Sequence, residues 1–104
     1  MENNMINALL IDPKDNVIVA IRPLKAGDIA YYYKKNGNEV NKVDVKEDIP
    51  IYHKMAIKEI KKDEAIIKYG EVIGTAYCDL VSGIHVHVHN VKDRRNVLAM
   101  EGHR

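Results

Sequence analysis

A lone cysteine, Cys78, rules out an internal disulfide in this chain of 104 residues and suits a reducing compartment. Charge of one sign is also missing. Sixteen Lys and Arg stand against 15 Asp and Glu, a net +1 that gives no drive toward nucleic acid or an anionic membrane. Small-molecule or protein partners are the alternative. No apolar run approaches the roughly 20 residues of a membrane span. The acidic, polar start Met1-Glu2-Asn3-Asn4-Met5 lacks the apolar stretch of a secretory signal. Together these absences lead to the expectation of a cytoplasmic chain with no membrane or nucleic-acid partner. The length suits one domain with one modest core. Cys78 has no histidine signature around it and reads as a small half-buried strand residue rather than a nucleophile.

What is present is strand chemistry. Short runs rich in Val, Ile, Tyr and Ala cover 8–11, 17–21, 29–33, 39–45, 53–57, 65–68, 72–78 and 84–91. Turn residues separate them: Asp12-Pro13-Lys14-Asp15-Asn16, the hairpin pair Asn36-Gly37, and Gly70 and Gly74. The pattern predicts an all-β fold. Residues 55–64, rich in Lys and Glu, are the one stretch with a helical alternative, but a helix there would be short and uncapped.

A weak internal repeat refines this. Starting at Ala20, Ala56 and Ala76, three segments share one template: Ala, three residues, an apolar Leu24, Ile60 or Leu80, two residues, then Gly27, Asp63 or Gly83. Such a segment reads as a strand end, a buried anchor and a turn ending at positive φ. Three of them predict folded-over corners rather than a flat meander. In Tyr31-Tyr32-Tyr33 the middle ring should face opposite to its neighbours, giving core plus interface.

The residues with the most chemistry lie in Gly83-Ile84-His85-Val86-His87-Val88-His89-Asn90. In an extended strand His85, His87 and His89 line one face, and Ile84, Val86 and Val88 face the core. Imidazoles in such a row can exchange protons near neutral pH or ligate a divalent metal. Same-face neighbours on a strand stand about 6 to 7 Å apart, so His85 and His87 could share one ion only with bending, and three in a row hardly could. The remote His53 and Cys78 do not obviously complete a four-ligand site. A half-site is expected, finished by a partner's carboxylates or thiolates. Arg22, before Pro23, reads as a solvated strand end that could meet an anionic ligand.

Three stretches in order, Ile49-Pro50-Ile51-Tyr52-His53-Lys54-Met55-Ala56, Ile67-Lys68-Tyr69-Gly70-Glu71-Val72-Ile73-Gly74-Thr75-Ala76 and Gly83 to Val91, resemble the SAF-type module of the altronate/galactarate dehydratase family. The segment from Asp15 to Gly27 is similar to that family's opening strand and corner. The resemblance implies a compact β-clip (SAF-like) fold at 9–91, with an N-terminal extension at 1–8 and a charged tail at 92–104 that is either a frayed terminus or a docking segment. It also implies a lyase of two parts, in which a large catalytic dehydratase subunit acts on a sugar acid with a divalent metal, iron or manganese. This chain would be the small subunit, inactive alone, and a homo-oligomer is possible when it is isolated. In that setting His85, His87 and Lys68 would be catalytic, with His85 and His87 on the metal. His53, Lys54, Tyr69, His89, Asn90 and Arg22 would bind substrate, Lys68 and Tyr69 facing its carboxylate and hydroxyls. Similar modules serve sulfolactate sulfo-lyases and non-catalytic sugar-acid binding, so both stay open. The chain departs from the family pattern at Tyr52 and Asp63, where Gly is usual. Tyr52 is expected to narrow a pocket beside His53.

Overall fold

The computed structural model describes residues 6–34 and 39–93; Met1 to Met5, the Asn36-Gly37 hairpin signal and the tail beyond 93 lie outside the described residues. Every regular element described is a strand. They are β1 (Ala8–Leu9), β2 (Val17–Ala20), β3 (Ile29–Tyr33), β4 (Val40–Asp44), β5 (Lys54–Ala56), β6 (Ala65–Lys68), β7 (Glu71–Ala76), β8 (His85–Val86) and β9 (Val91–Asp93). The all-β expectation holds, and residues 55–64 contain no helix. Among the described residues no helix is long and apolar enough to cross a membrane.

Three antiparallel sheets result: β1-β2-β5-β8, β3-β4 and β6-β7-β9. The four-stranded sheet is covered on both faces, which follows from alternation in its two central strands. Ile18 and Met55 point into one apolar cluster with Leu24, Tyr32 and Ile49, while Val17 and Ala56 point into the other with Ile60, Ile66, Leu80 and Val86. In β3, Ala30 and Tyr32 are buried and Tyr31 and Tyr33 half-buried, as the period of two requires.

The corners are the organising device. Ala20, Ala56 and Ala76 each end a strand and are fully buried. Leu24, Ile60 and Leu80 are buried anchors, and Gly27, Asp63 and Gly83 adopt φ of 97°, 72° and 95°. A fourth corner has the same spacing: Val45, Ile49 and Tyr52, with Tyr52 at φ 69°. The four corners pair in twos. Leu24 and Ile49 exchange both backbone hydrogen bonds, as do Ile60 and Leu80. Around each pair the pattern repeats: Gly27 N donates to Val45 O, Val45 N to Asp28 O, Tyr52 N to Ala20 O and Ala20 N to His53 O. In the second pair Asp63 N donates to Ala76 O, Ala76 N to Glu64 O, Gly83 N to Ala56 O and Ala56 N to Ile84 O. Even the side-chain brace recurs, Asp48 accepting from Ala26 N at 3.0 Å and Asp79 from Lys62 N at 2.8 Å. Cys78, expected half-buried, is exposed because it lies inside the corner beyond β7 rather than on the strand.

The segment 12–16 is more than an open turn. Asp15 is buried, and its carboxylate accepts from the amides of Tyr69 at 3.0 Å and Gly70 at 2.8 Å. Those two residues, both at positive φ, close the β6–β7 hairpin. Asn16 accepts from Ile67 N and donates to Ala65 O, spanning the bulge between Ile66 and Ile67. Lys68 and Tyr69 are thereby tied to the start of β2.

Candidate metal centre

The run 84–91 is not one strand. β8 stops at Val86, His87 to Asn90 turn, and β9 restarts at Val91. Asn90 causes the break. Its buried side-chain amide donates to His85 O at 2.7 Å, its oxygen accepts from His87 N at 2.9 Å, and its own N–H reaches His87 O at 3.0 Å. Both ends of the amide therefore hold backbone rather than facing a ligand. Val88, expected in the core, is 79% exposed at the tip of this turn, whereas Val86 is buried as expected.

Bending brings the rings together rather than apart. His85 and His87 stack at 5.3 Å between centroids with 10° between planes, and His89 tilts at 42° and 5.5 Å from His85. The third member of the cluster is His53. Strands β5 and β8 pair Lys54 with Val86 and Met55 with His85, so continuing that register sets His53 opposite His87. Their rings lie 4.4 Å apart, and His53 Nδ1 is 2.8 Å from His85 Nε2. His53 is therefore not remote. One ligand nitrogen from each of His53, His85 and His87 falls within 4.8 Å of the others, an arrangement that could hold a metal ion.

The donor types suit such an ion. Nitrogens bound at about 2.0–2.1 Å to one centre stand roughly 3 Å apart. The His53–His85 pair already stands near that separation, the full set spans up to 4.8 Å and would draw in on binding, and three imidazoles leave coordination positions open. Ligation needs neutral rings, and the surroundings favour them. Burial, then the neighbouring His53, His87 and His89, push His85 below its ordinary value of 6.5, with Glu47 opposing. Burial, His53, Lys54 and His89 push His87 the same way. Glu47, which the sequence reading did not single out, also accepts from His85 N at 2.9 Å. It sits inside the fourth corner, and a backbone bond outside the corner pairing, from Lys46 N to Gly83 O at 2.8 Å, holds that corner against the turn that leads into β8.

The other candidates divide. Lys54 is half-buried; burial first and the nearby Lys68 second hold its ammonium below 10.5. Lys68 also lies over the Tyr69 ring at 4.8 Å, and that ring is 61% exposed. Arg22 is exposed on the first corner, and among the described residues no hydrogen bond or ion pair joins it to His53, His85, His87 or His89. Tyr52 is 71% exposed beside His53, standing out from the surface rather than filling a pocket.

A model of the altronate/galactarate dehydratase SAF domain matches residues 6–94, and the chain belongs to that family. The (2R)-sulfolactate sulfo-lyase subunit alpha of Chromohalobacter salexigens is 36% identical over 91 residues, covering 86% of this chain and 97% of that protein. Altronate dehydratase of Bacillus subtilis is 38% identical over 88 residues, 85% of this chain, and that of Escherichia coli 36% identical over 78 residues, 75% of this chain. The chain spans only 16% and 14% of those two dehydratases.

Proposed function

We propose that this module is the small subunit of a sugar-acid dehydratase, lending its histidine cluster to an active site shared with a large catalytic subunit. The observation that carries the reading is the convergence of His53, His85 and His87 within 4.8 Å. These three residues would hold a divalent ion, iron suiting imidazole donors better than manganese does. Such an ion supplies Lewis acidity toward the carboxylate of a hydroxy acid as the proton α to it is removed. The chain's own part is to keep His85 and His87 neutral, to fix their backbone through Asn90, and to present Lys54 and Lys68 to the substrate's carboxylate. Lys54, its proton already weakened by burial and by Lys68, is suited to assist the departing β-hydroxyl as a general acid. His89 borders the cluster as a substrate contact, and Tyr69 offers a phenolic hydrogen bond.

A second reading within the same lyase class has its own support. Relatives of similar extent are sulfolactate sulfo-lyase subunits, so elimination of sulfite rather than water is the alternative chemistry. The test reconstitutes the chain with its cognate large subunit and assays altronate, galactarate and (2R)-sulfolactate. Turnover of a sugar acid that His85→Ala and His87→Ala each abolish is expected. Full turnover in both variants would refute the proposal, and turnover confined to sulfolactate would select the second reading.

A further inference from the structure

Three large apolar side chains stand exposed beside the histidines. Ile51 and Tyr52, 40% and 71% exposed, immediately precede His53, and Val88, 79% exposed, separates His87 from His89. The rings of His53 and His87 are 4.4 Å apart, and the β5–β8 register, continued past them, sets Tyr52 opposite Val88, so these two chain neighbours flank the cluster. Among the described residues the other exposed large apolar side chains, Leu9, Tyr69, Val72, Tyr77 and Val81, sit on β1, on β7 and in the turns flanking β7.

Tyr52 is also held against its preference. At φ 69° it occupies the left-handed region, which a residue with a Cβ enters at a penalty and glycine enters freely. Its three equivalents in the other corners are Gly27, Gly83 and the small Asp63. A strained, solvated tyrosine contributes nothing to this fold that glycine would not. At a protein interface, however, tyrosine is among the residues that carry binding energy when desolvated, with neighbouring apolar contacts excluding water.

We infer that Ile51, Tyr52 and Val88 form the apolar seat by which the module docks on a large lyase subunit, covering the open side of the histidine cluster. This rests on the functional reading above. The occupant follows from the relatives: in two of them the matched region is 16% and 14% of a much longer chain, and relatives of short length are named as a subunit. The remainder of the lyase is therefore what lies against this module, and three imidazoles leave open positions for it to fill.

The test compares the wild-type chain with a Tyr52→Gly/Val88→Ser double variant, each co-expressed with an affinity-tagged cognate large subunit and followed by sedimentation velocity. Glycine at position 52 suits the φ already adopted, and Val88 is solvated, so the variant should fold. Cobalt(II) binding by the isolated variant, expected to equal wild type, checks that the cluster survives. At least tenfold weaker assembly is predicted. Equal assembly of both forms would overturn the docking inference alone. A wild-type chain that pairs with itself through this rim, and becomes monomeric in the variant, would assign the seat to a second copy and overturn it as well. A wild-type chain that binds no large subunit at all would remove the functional reading too.

Discussion

The two corner pairs share a backbone and differ in what they carry. Residues 20–28 with 45–53, and 56–64 with 76–84, make the same six backbone hydrogen bonds around the same kind of buried anchors. The residue after each turn is Asp28, His53, Glu64 or Ile84, and only one of these is a ring that reaches the cluster. The second pair instead feeds β8, which supplies His85 and leads to His87. The comparison separates scaffold from chemistry: the corners set strand positions, and the β5–β8 register then decides which side chains meet.

Substitutions can break the equivalence of the corners. The largest effect is expected at Gly83, where an added Cβ would collide with the Asp44 carbonyl at a φ of 95°; Gly83→Ala should lower unfolding free energy by about 3–4 kcal/mol in urea titration. Gly27, at a similar φ of 97° but with open space around it, should lose only about 1–2 kcal/mol as Gly27→Ala. Equal losses would mean crowding plays no part. If the pairs are equivalent, Leu80→Ala and Leu24→Ala should each cost about 3 kcal/mol, both anchors being buried.

The histidine end should also set the pH dependence. His85 and His87 have folded pKa values below the ordinary 6.5, so the unfolded chain binds more protons as the pH falls. Their contribution to stability is fully present above about pH 6.5 and is lost as the pH drops through the depressed values. Midpoint temperatures at pH 7.5 and 5 should therefore differ, and the difference should shrink in His85→Ala/His87→Ala; an unchanged difference would place its origin elsewhere. Smallest of all is Tyr52→Gly in the isolated chain, expected to stabilise by no more than about 1 kcal/mol, since relief of the left-handed backbone is partly offset by glycine's freedom when unfolded.

Much of the scaffold was legible because turn chemistry is local. The Ala, anchor and Gly or Asp spacing marked three corners, and alternation set the Tyr32 ring opposite to those of Tyr31 and Tyr33 and placed Val86 inside. The fourth corner escaped because Val45 and Tyr52 stand where the template has Ala and Gly. The long strand over 84–91 was overread because alternating β-branched residues conceal what Asn90 does to the backbone. His53 was seen as a substrate contact and not as a cluster member for a different reason. Its meeting with His87 depends on a pairing across 34 positions of chain, set by the β5–β8 register and carried by no local pattern.

Cobalt(II) titration of the isolated chain at pH 7.5, read from its d–d absorption, tests the cluster most directly. One ion per chain is predicted, with affinity at least about a hundredfold weaker in each of His53→Ala, His85→Ala and His87→Ala and little changed in His89→Ala. Absence of binding, or binding that His53→Ala leaves intact, would contradict the three-histidine centre.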